Sequence, residues 1–415
     1  MLFTLEADYY PDLHPKPTGV TYMNSKDAWN SQELFSPPEI RSAEKFPQFV
    51  LPGLQSLLLQ GQAVAGRSTW AYAYYSLPDG AAPAGGWPAV VLFHGGGGTA
   101  FAKYIQLWNR WGYAAIAFDH YGKLPETDKL QAERAALPES WLAAEGLDTL
   151  PQSWLQGWNQ QASQECGKWV RHAVSLCLKA HSFLRLQTQI NPDKIGMIGV
   201  SWGGVLGAIA AALDPRLKFA VLNYGCGFHD LAGPELSFHK YAREWWEPKH
   251  FLPQCQVPLL WINGTNDQNF APGPWSRSVA AAPSSAAAAL VPALDHSHGA
   301  FAYPWVKRFA DSFCFGGTAV PKLGASSLSG EVISTPILRP GRGILRAELE
   351  YTLDSGPTPQ RRWQAVPAKF DRERVQAVIP SGTVACYLNA YDDTQQDGWN
   401  WPASSDYITR DPSGY

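Results

Sequence analysis

The chain has 415 residues, with 33 Lys plus Arg against 36 Asp plus Glu, a formal charge of −3 and a pI near 6.4. That balance carries no nucleic-acid footprint. The 45% hydrophobic, 13% aromatic and 17% charged residues exclude a disordered, collagenous or coiled-coil chain and allow a sizeable core.

Residues 1–50, rich in Pro, Asp and Ser without a sustained period, read as an irregular arm lying on the body. The stretch from Met1 to Tyr22 holds Glu6, Asp8, Asp12, Pro11, Pro15 and Pro17, and so lacks the basic start and apolar run of a signal peptide. The expectation is a cytoplasmic protein, or an exported one whose leader has been removed. No run of about eighteen apolar residues occurs, which excludes a membrane-spanning helix. From Leu54 to Gln60 and from Ser68 to Tyr75 the pattern predicts a hairpin, with Gly80 to Trp87 as a turn.

Strand and helix signals then alternate. An apolar run from Pro88 to Phe93 ends in His94 and four glycines, helical spacing follows from Thr99 to Trp111, and a second apolar run covers Ala114 to Phe118. This is the strand–helix–strand order of a parallel sheet. A polar, Trp-containing stretch at about 123–165 is too long for an ordinary connector and reads as an insertion near the mouth of the site. Further expectations are a helix from Trp169 to Gln189, a strand from Lys194 to Ile198, and an alanine-rich helix from Gly204 to Leu213. Strands from Phe219 to Leu222, Leu259 to Ile262 and Ala286 to Leu294 precede a closing helix from Tyr303 to Phe313.

Beyond Phe315 the composition shifts. Ile344 to Leu353 alternates, with Leu345, Ala347, Leu349, Tyr351 and Leu353 on one face, and Val375 to Ile379 and Thr383 to Ala390 are further strand candidates without an intervening helix. The chain therefore divides into an arm (1–53), an α/β domain with a mostly parallel, doubly wound sheet (54–318) and a small all-β sandwich (319–415). Six cysteines, Cys166, Cys177, Cys226, Cys255, Cys314 and Cys386, show neither zinc spacing nor disulfide density and read as buried thiols. Most of the 18 Trp read as core.

Gly199-Val200-Ser201-Trp202-Gly203 lies between a strand and a helix, the setting in which Gly-x-Ser-x-Gly presents a serine hydroxyl at the top of a sheet on a strained turn. The glycine loop after His94 supplies backbone N–H groups that can approach a developing oxyanion without a Cβ in the way. The oxyanion donors expected are Gly96 or Gly97 and the N–H of Trp202. A phosphate-binding reading of the loop fails for lack of a following Lys-Ser/Thr. A serine needs a base, and the base needs an orienting acid. Asp267, just past a buried strand, is the candidate acid, and His296, nearest the next strand end, is the first choice of base with His298 as its competitor, a choice the sequence does not decide. The His-x-His pair with Asp295 resembles part of a metal site, but no second ligand cluster accompanies it, so no metal is expected. His94 reads as structural, and His94, Asp119 and His120 as pocket members at the carboxyl edge of the sheet. Cys226 reads as packing.

Six ordered stretches carry a resemblance: Val90 to Phe101 (VVLFHGGGGTAF), Trp108 to Ala117 (WNRWGYAAIA), Ile198 to Gly204 (IGVSWGG), Tyr224 to Phe228 (YGCGF), Leu260 to Asp267 (LWINGTND) and His296 to Gly299 (HSHG). Across roughly 88–315 the chain resembles the α/β-hydrolase superfamily, and more narrowly the bacterial acetylxylan esterase-like and dienelactone-hydrolase-like proteins. The resemblance implies a cofactor-free serine esterase acting on acetyl or related groups of polysaccharides, with Ser201, Asp267 and His296 or His298 as its triad. Dienelactone hydrolases proper carry cysteine at the elbow; serine here moves the expectation toward esters. A small-molecule or polysaccharide ester is thus the expected partner, with no nucleic acid and no membrane. Trp141, Trp154, Trp158, Trp245 and Trp246 are candidate walls of a sugar-facing pocket. The rival readings are a peptidase on the same scaffold and a non-catalytic carbohydrate-binding protein.

Overall fold

The structure, a computed structural model, describes residues 29, 31–44, 46–63, 68–125, 164–231, 246–283, 286–392 and 401–410. The first part of the expected arm, nearly all of the expected insertion, and Trp141, Trp154, Trp158 and Trp245 lie outside the described residues.

The central sheet comprises β1 (Ile40–Ser42), β2 (Gln55–Gln60), β3 (Trp70–Ser76), β4 (Trp87–Phe93), β5 (Ala114–Phe118), β6 (Ile190–Val200), β7 (Ala220–Asn223), β8 (Leu259–Gly264) and β9 (Ala287–Val291) in the order β1-β2-β3-β5-β4-β6-β7-β8-β9. From β5 to β9 in that order neighbours run parallel, and β1 to β3 join antiparallel at one side. Parallel strands must be covered on both faces, which is why β5 is apolar and buried throughout and β8, buried throughout, is apolar from Leu259 to Ile262. The helices are α1 (Ser31–Phe35), α2 (Ala102–Arg110), α3 (Gln164–Arg185), α4 (Trp202–Leu213), α5 (Pro272–Ala281) and α6 (Pro304–Cys314). Helix α2 buries Tyr104, Ile105 and Trp108, one face of a 3.6-residue repeat. Helix α4 is buried from Gly203 to Ala211, and its small side chains let it lie close on the sheet. After β4 the chain turns to β5 on one side and reaches β6 on the other, so the strand order reverses at β4 and β6, the place where open α/β sheets take ligands at the carboxyl ends of their strands.

The described part of the arm is less irregular than the sequence suggests, because α1 forms and Ile40–Ser42 pairs with β2. Helix α5 is not among the sequence expectations; Pro272 and Pro274 would break a helix interior, yet both sit in the first turn, where the missing N–H costs nothing. Strand β6 begins at Ile190 rather than Lys194, since Ile190 pairs with Trp87 across a register shift.

The C-terminal part is all β: β10 (Lys322–Leu323), β11 (Ser327–Ser329), β12 (Val332–Arg339), β13 (Arg346–Thr352), β14 (Gln364–Pro367), β15 (Lys369–Phe370), β16 (Arg374–Val378), β17 (Ala385–Tyr391), β18 (Ala403–Ser404) and β19 (Ile408–Thr409). One antiparallel sheet holds β10, β11, β12, β15 and β16, the other β13, β14 and β17 to β19. Ile333 and Val375 from the first and Leu349 and Leu388 from the second share a core. The alternating stripe is buried only inside β13; Leu345 and Leu353, beyond its ends, are 63% and 48% exposed. This unit covers the last strand of the large sheet: Leu290 N–H of β9 donates to Ser404 Oγ (2.7 Å), and Asn389 Nδ2 donates to Leu290 O (3.4 Å). Arg308 of α6 grips Asp392 with bonds of 2.9 and 2.6 Å.

Candidate active site

Strand β6 runs into Ser201 with φ +58° and ψ −120°, a left-handed geometry that costs a non-glycine residue about 1–3 kcal/mol and survives only where its surroundings enforce it. The enforcement is steric. A Cβ on Gly203 would lie 1.9 Å from Phe93 O, and one on Gly199 would lie 2.1 Å from Gly203 O, so strand and helix backbones touch on both sides of the serine. Ser201 N–H donates to Asn223 O of β7 (2.8 Å), and the residue stays 8% exposed. Trp202 opens α4, where the N–H has no intrahelical acceptor and the helix end is positive.

The glycine loop leans on this turn. A Cβ on Gly95 would sit 2.5 Å from Ser201 Cβ and 3.2 Å from its Oγ. Gly98 N–H donates to Gly95 O (3.0 Å), which closes a turn whose third residue, Gly97, has φ +66°. Among the described residues the N–H groups of Gly96 and Gly97 donate to nothing.

On the opposite side, β8 delivers Asp267. Its buried carboxylate accepts from the N–H groups of Asn269 (2.7 Å) and Phe270 (2.8 Å) through Oδ1, and from His296 Nδ1 (2.7 Å) through Oδ2. An ionised carboxylate only accepts, so His296 Nδ1 carries a proton, and in the neutral ring the lone pair is then at Nε2. The imidazole lies between the rings of Tyr224 (centroids 4.7 Å, 30°) and Phe270 (6.0 Å, 19°). Tyr224 is itself pinned, its hydroxyl donating to Asp295 O (2.7 Å). Burial first, and then the Tyr303 hydroxyl beside it, push the Tyr224 phenol far above its ordinary range, so it remains a donor. Ser201 Oγ has no hydrogen bond to any described residue, His296 included. Such contacts are often open in a ligand-free site and tighten around substrate.

His298 is engaged elsewhere: its Nε2 accepts the N–H of Gly95 (3.0 Å), and its ring packs 4.9 Å from Phe101. His94 donates from Nδ1 to Gly95 O (2.8 Å), accepts the His120 N–H at Nε2 (3.4 Å) and stacks on the His120 ring at 3.8 Å. Asp119 Oδ1 accepts from the N–H groups of Tyr121 (2.9 Å) and Lys123 (3.2 Å). His94, Asp119 and His120 are all buried, His94 and the His120 ring stacked on it lying against the glycine loop. The Cys226 thiol is buried, and burial, with Glu247 and Asp267 nearby, raises its pKa well above the ordinary range. The sequence pattern does not single out Tyr224, Phe270 or Asn266; Tyr224 lies inside the YGCGF stretch, but no spacing announces ring stacking. Among the described residues no group of three or more His, Cys, Asp or Glu is arranged to hold a metal ion.

A mostly parallel sheet flanked by helices, with a serine on a left-handed turn between strand and helix, defines an α/β-hydrolase, here followed by a small all-β domain. Residues 72–278 match the sequence profile of the dienelactone hydrolase family and form a domain of that family. No curated protein sequence matches significantly. Among solved structures, the acetyl xylan esterase from Paenibacillus sp. R4 is similar with a TM-score of 0.51 at 18% identity, over 72% of this chain and 96% of that one. Acetyl xylan esterase 1 from Thermoanaerobacterium sp. JW/SL YS485 gives 0.49 at 17% identity, over 71% and 93%. At 18% identity the likeness to the Paenibacillus enzyme is one of fold.

Proposed function

We propose that the protein is a serine carboxylic-ester hydrolase that removes acetyl or other small acyl groups, with acetylated xylan-like carbohydrate as the substrate class. The observation that supports the reading is the Asp267–His296 hydrogen bond of 2.7 Å, taken together with a serine on a left-handed elbow that a glycine loop touches. Residues 54–318 form the proposed catalytic unit. The acetyl xylan esterase from Paenibacillus shares its fold, which supports the choice of substrate class.

In the proposed reaction His296 Nε2 takes the Ser201 hydroxyl proton as Oγ bonds to the ester carbonyl carbon. The negative charge moves to the carbonyl oxygen, which accepts from the N–H of Trp202 and from Gly96 or Gly97. The tetrahedral species collapses, the C–O bond to the alcohol breaks, and His296 returns the proton to the departing oxygen. Water then attacks the acyl-serine with His296 again as base, and the acid leaves as Ser201 recovers its proton. Asp267 holds the ring in the tautomer that has Nε2 free. His298 has a separate role, since its Nε2 already accepts from Gly95 and so tethers the glycine loop. The test is turnover of nitrophenyl acetate and acetylated xylan, with fluorophosphonate labelling, in wild type and Ser201→Ala. Label and turnover only in wild type are expected; equal turnover in both proteins, or none in wild type, overturns the proposal.

A further inference from the structure

The acid and histidine loops are tied to each other and to the all-β domain by one continuous chain of hydrogen bonds. Ala293 N–H, three residues before His296, donates to Thr265 Oγ1 (3.0 Å), and the Thr265 hydroxyl donates to Asn266 Oδ1 (2.7 Å). Asn266, the residue next to Asp267, then directs its amide nitrogen at three backbone carbonyls of the all-β domain: Arg361 O (2.7 Å), Pro359 O (3.2 Å) and Thr358 O (3.4 Å). An amide has two N–H donors and an acceptor oxygen, so this side chain is fully used.

The receiving turn is itself held. Thr358 and Arg361 are buried, Arg361 Nε donates to Gly356 O (2.8 Å) and its Nη1 to the Tyr407 hydroxyl (3.1 Å), while Tyr407 N–H donates back to Ser276 Oγ of α5 (3.0 Å). At the other end of the chain, Ala293 has φ +52°, a left-handed conformation in a residue with a side chain, and its N–H is the group that Thr265 engages. A strained loop leading to His296 and a loop carrying Asp267 therefore share one anchor, which lies ninety-odd residues away in sequence.

We infer that Asn266 is a positioning residue through which the all-β domain sets the Asp267–His296 geometry, so that this domain completes the active site rather than only bracing the fold. The inference rests on the esterase reading for its kinetic consequence, while the geometry can be read independently. Asn266→Asp keeps the size and the acceptor for Thr265, but it cannot donate and sets a negative oxygen against three carbonyls. Arg308→Ala breaks another contact between the two domains, at Asp392.

The experiment uses the full-length chain. For Asn266→Asp and Asn266→Ala, kcat on nitrophenyl acetate should fall roughly tenfold or more with KM within about twofold, since small misplacements of a catalytic group are costly in rate. Arg308→Ala should lower the melting temperature and leave kcat unchanged. In parallel, the downfield Nδ1–H proton resonance of His296, assigned by its loss in His296→Gln, should shift or vanish in the Asn266 variants and persist in Arg308→Ala. Wild-type kcat and resonance in Asn266→Asp, or an equal fall of kcat in Arg308→Ala, would overturn the inference. A wild type that turns over no ester sinks the esterase reading alone, because the resonance still reports on the anchor.

Discussion

Replacing Asp267 by Asn removes a charge and hardly any volume, and the hydrogen-bond geometry decides the result. The carboxylate accepts from Asn269 N–H and Phe270 N–H at Oδ1 and from His296 Nδ1 at Oδ2. An amide offers one oxygen and one NH2. The backbone donors sit in the turn and cannot move away, so the oxygen goes to them and keeps two hydrogen bonds, leaving the NH2 facing His296 Nδ1. Nδ1 must then accept, and the ring proton moves to Nε2, where it occupies the lone pair that should receive the Ser201 proton. Flipping the ring about Cβ–Cγ keeps its plane and its stacking on Tyr224 and Phe270, but it turns Cδ2 toward position 267 and puts Cε1 where Nε2 stood, so no base is restored there. The expected loss is about 10⁴-fold in kcat, as for wrong-tautomer variants of serine hydrolases, equivalent to about 5 kcal/mol of barrier. Stability should change by less than about 1 kcal/mol, since hydrogen bonds are exchanged rather than lost. Stopped assays on nitrophenyl acetate with a thermal melt of the same preparation test this; a folded Asp267→Asn protein within tenfold of wild type would refute the tautomer argument.

Three further outcomes are expected. Gly203→Ala places a Cβ 1.9 Å from Phe93 O, a backbone atom that cannot step aside, and should cost about 3 kcal/mol or more; a wild-type melting curve would contradict that. His298→Ala frees the Gly95 N–H and should lower kcat by no more than about 10²-fold, while His296→Ala approaches the 10⁴-fold loss of Asp267→Asn; equal losses would put both histidines on the proton path. His172 is buried, and burial, with Lys179 nearby, pushes its pKa down from 6.5 to about 3. The unfolded chain takes up this proton as pH falls through 6.5 and the folded one only near 3, so His172 lowers stability across that window, by about 2 kcal/mol at pH 5. Glu350, raised to about 7 chiefly by burial, acts oppositely: the folded state holds its proton from about pH 7 down and gains stability as pH falls toward 4.5. The difference between wild type and His172→Gln, by urea melts at pH 7.5 and pH 5, isolates the histidine, and equal pH dependence in the two would remove the effect.

The elbow and the glycine loop were readable because their chemistry is local: Gly199, Gly203 and Gly95 are required by backbones that meet within a few ångströms of Ser201. The same holds for the alternation of apolar runs that predicts the parallel sheet. The choice between His296 and His298 was not readable, since two histidines one residue apart differ only in which partner each ring reaches, Asp267 or Gly95. Helix α5 was masked by prolines whose harmlessness depends on falling in its first turn. Asn266 looked like any turn residue, and its importance rests on a loop that the sequence places far downstream.

The large sheet finishes on β9, whose outer rim is already occupied by Ser404 and Asn389. A second copy seeking to prolong the sheet by adding its own strand would find that flank shut, and among the described residues the opposite flank offers only the three-residue β1. Self-association by strand addition is thereby discouraged at the β9 end, where a long bare strand would be most adhesive.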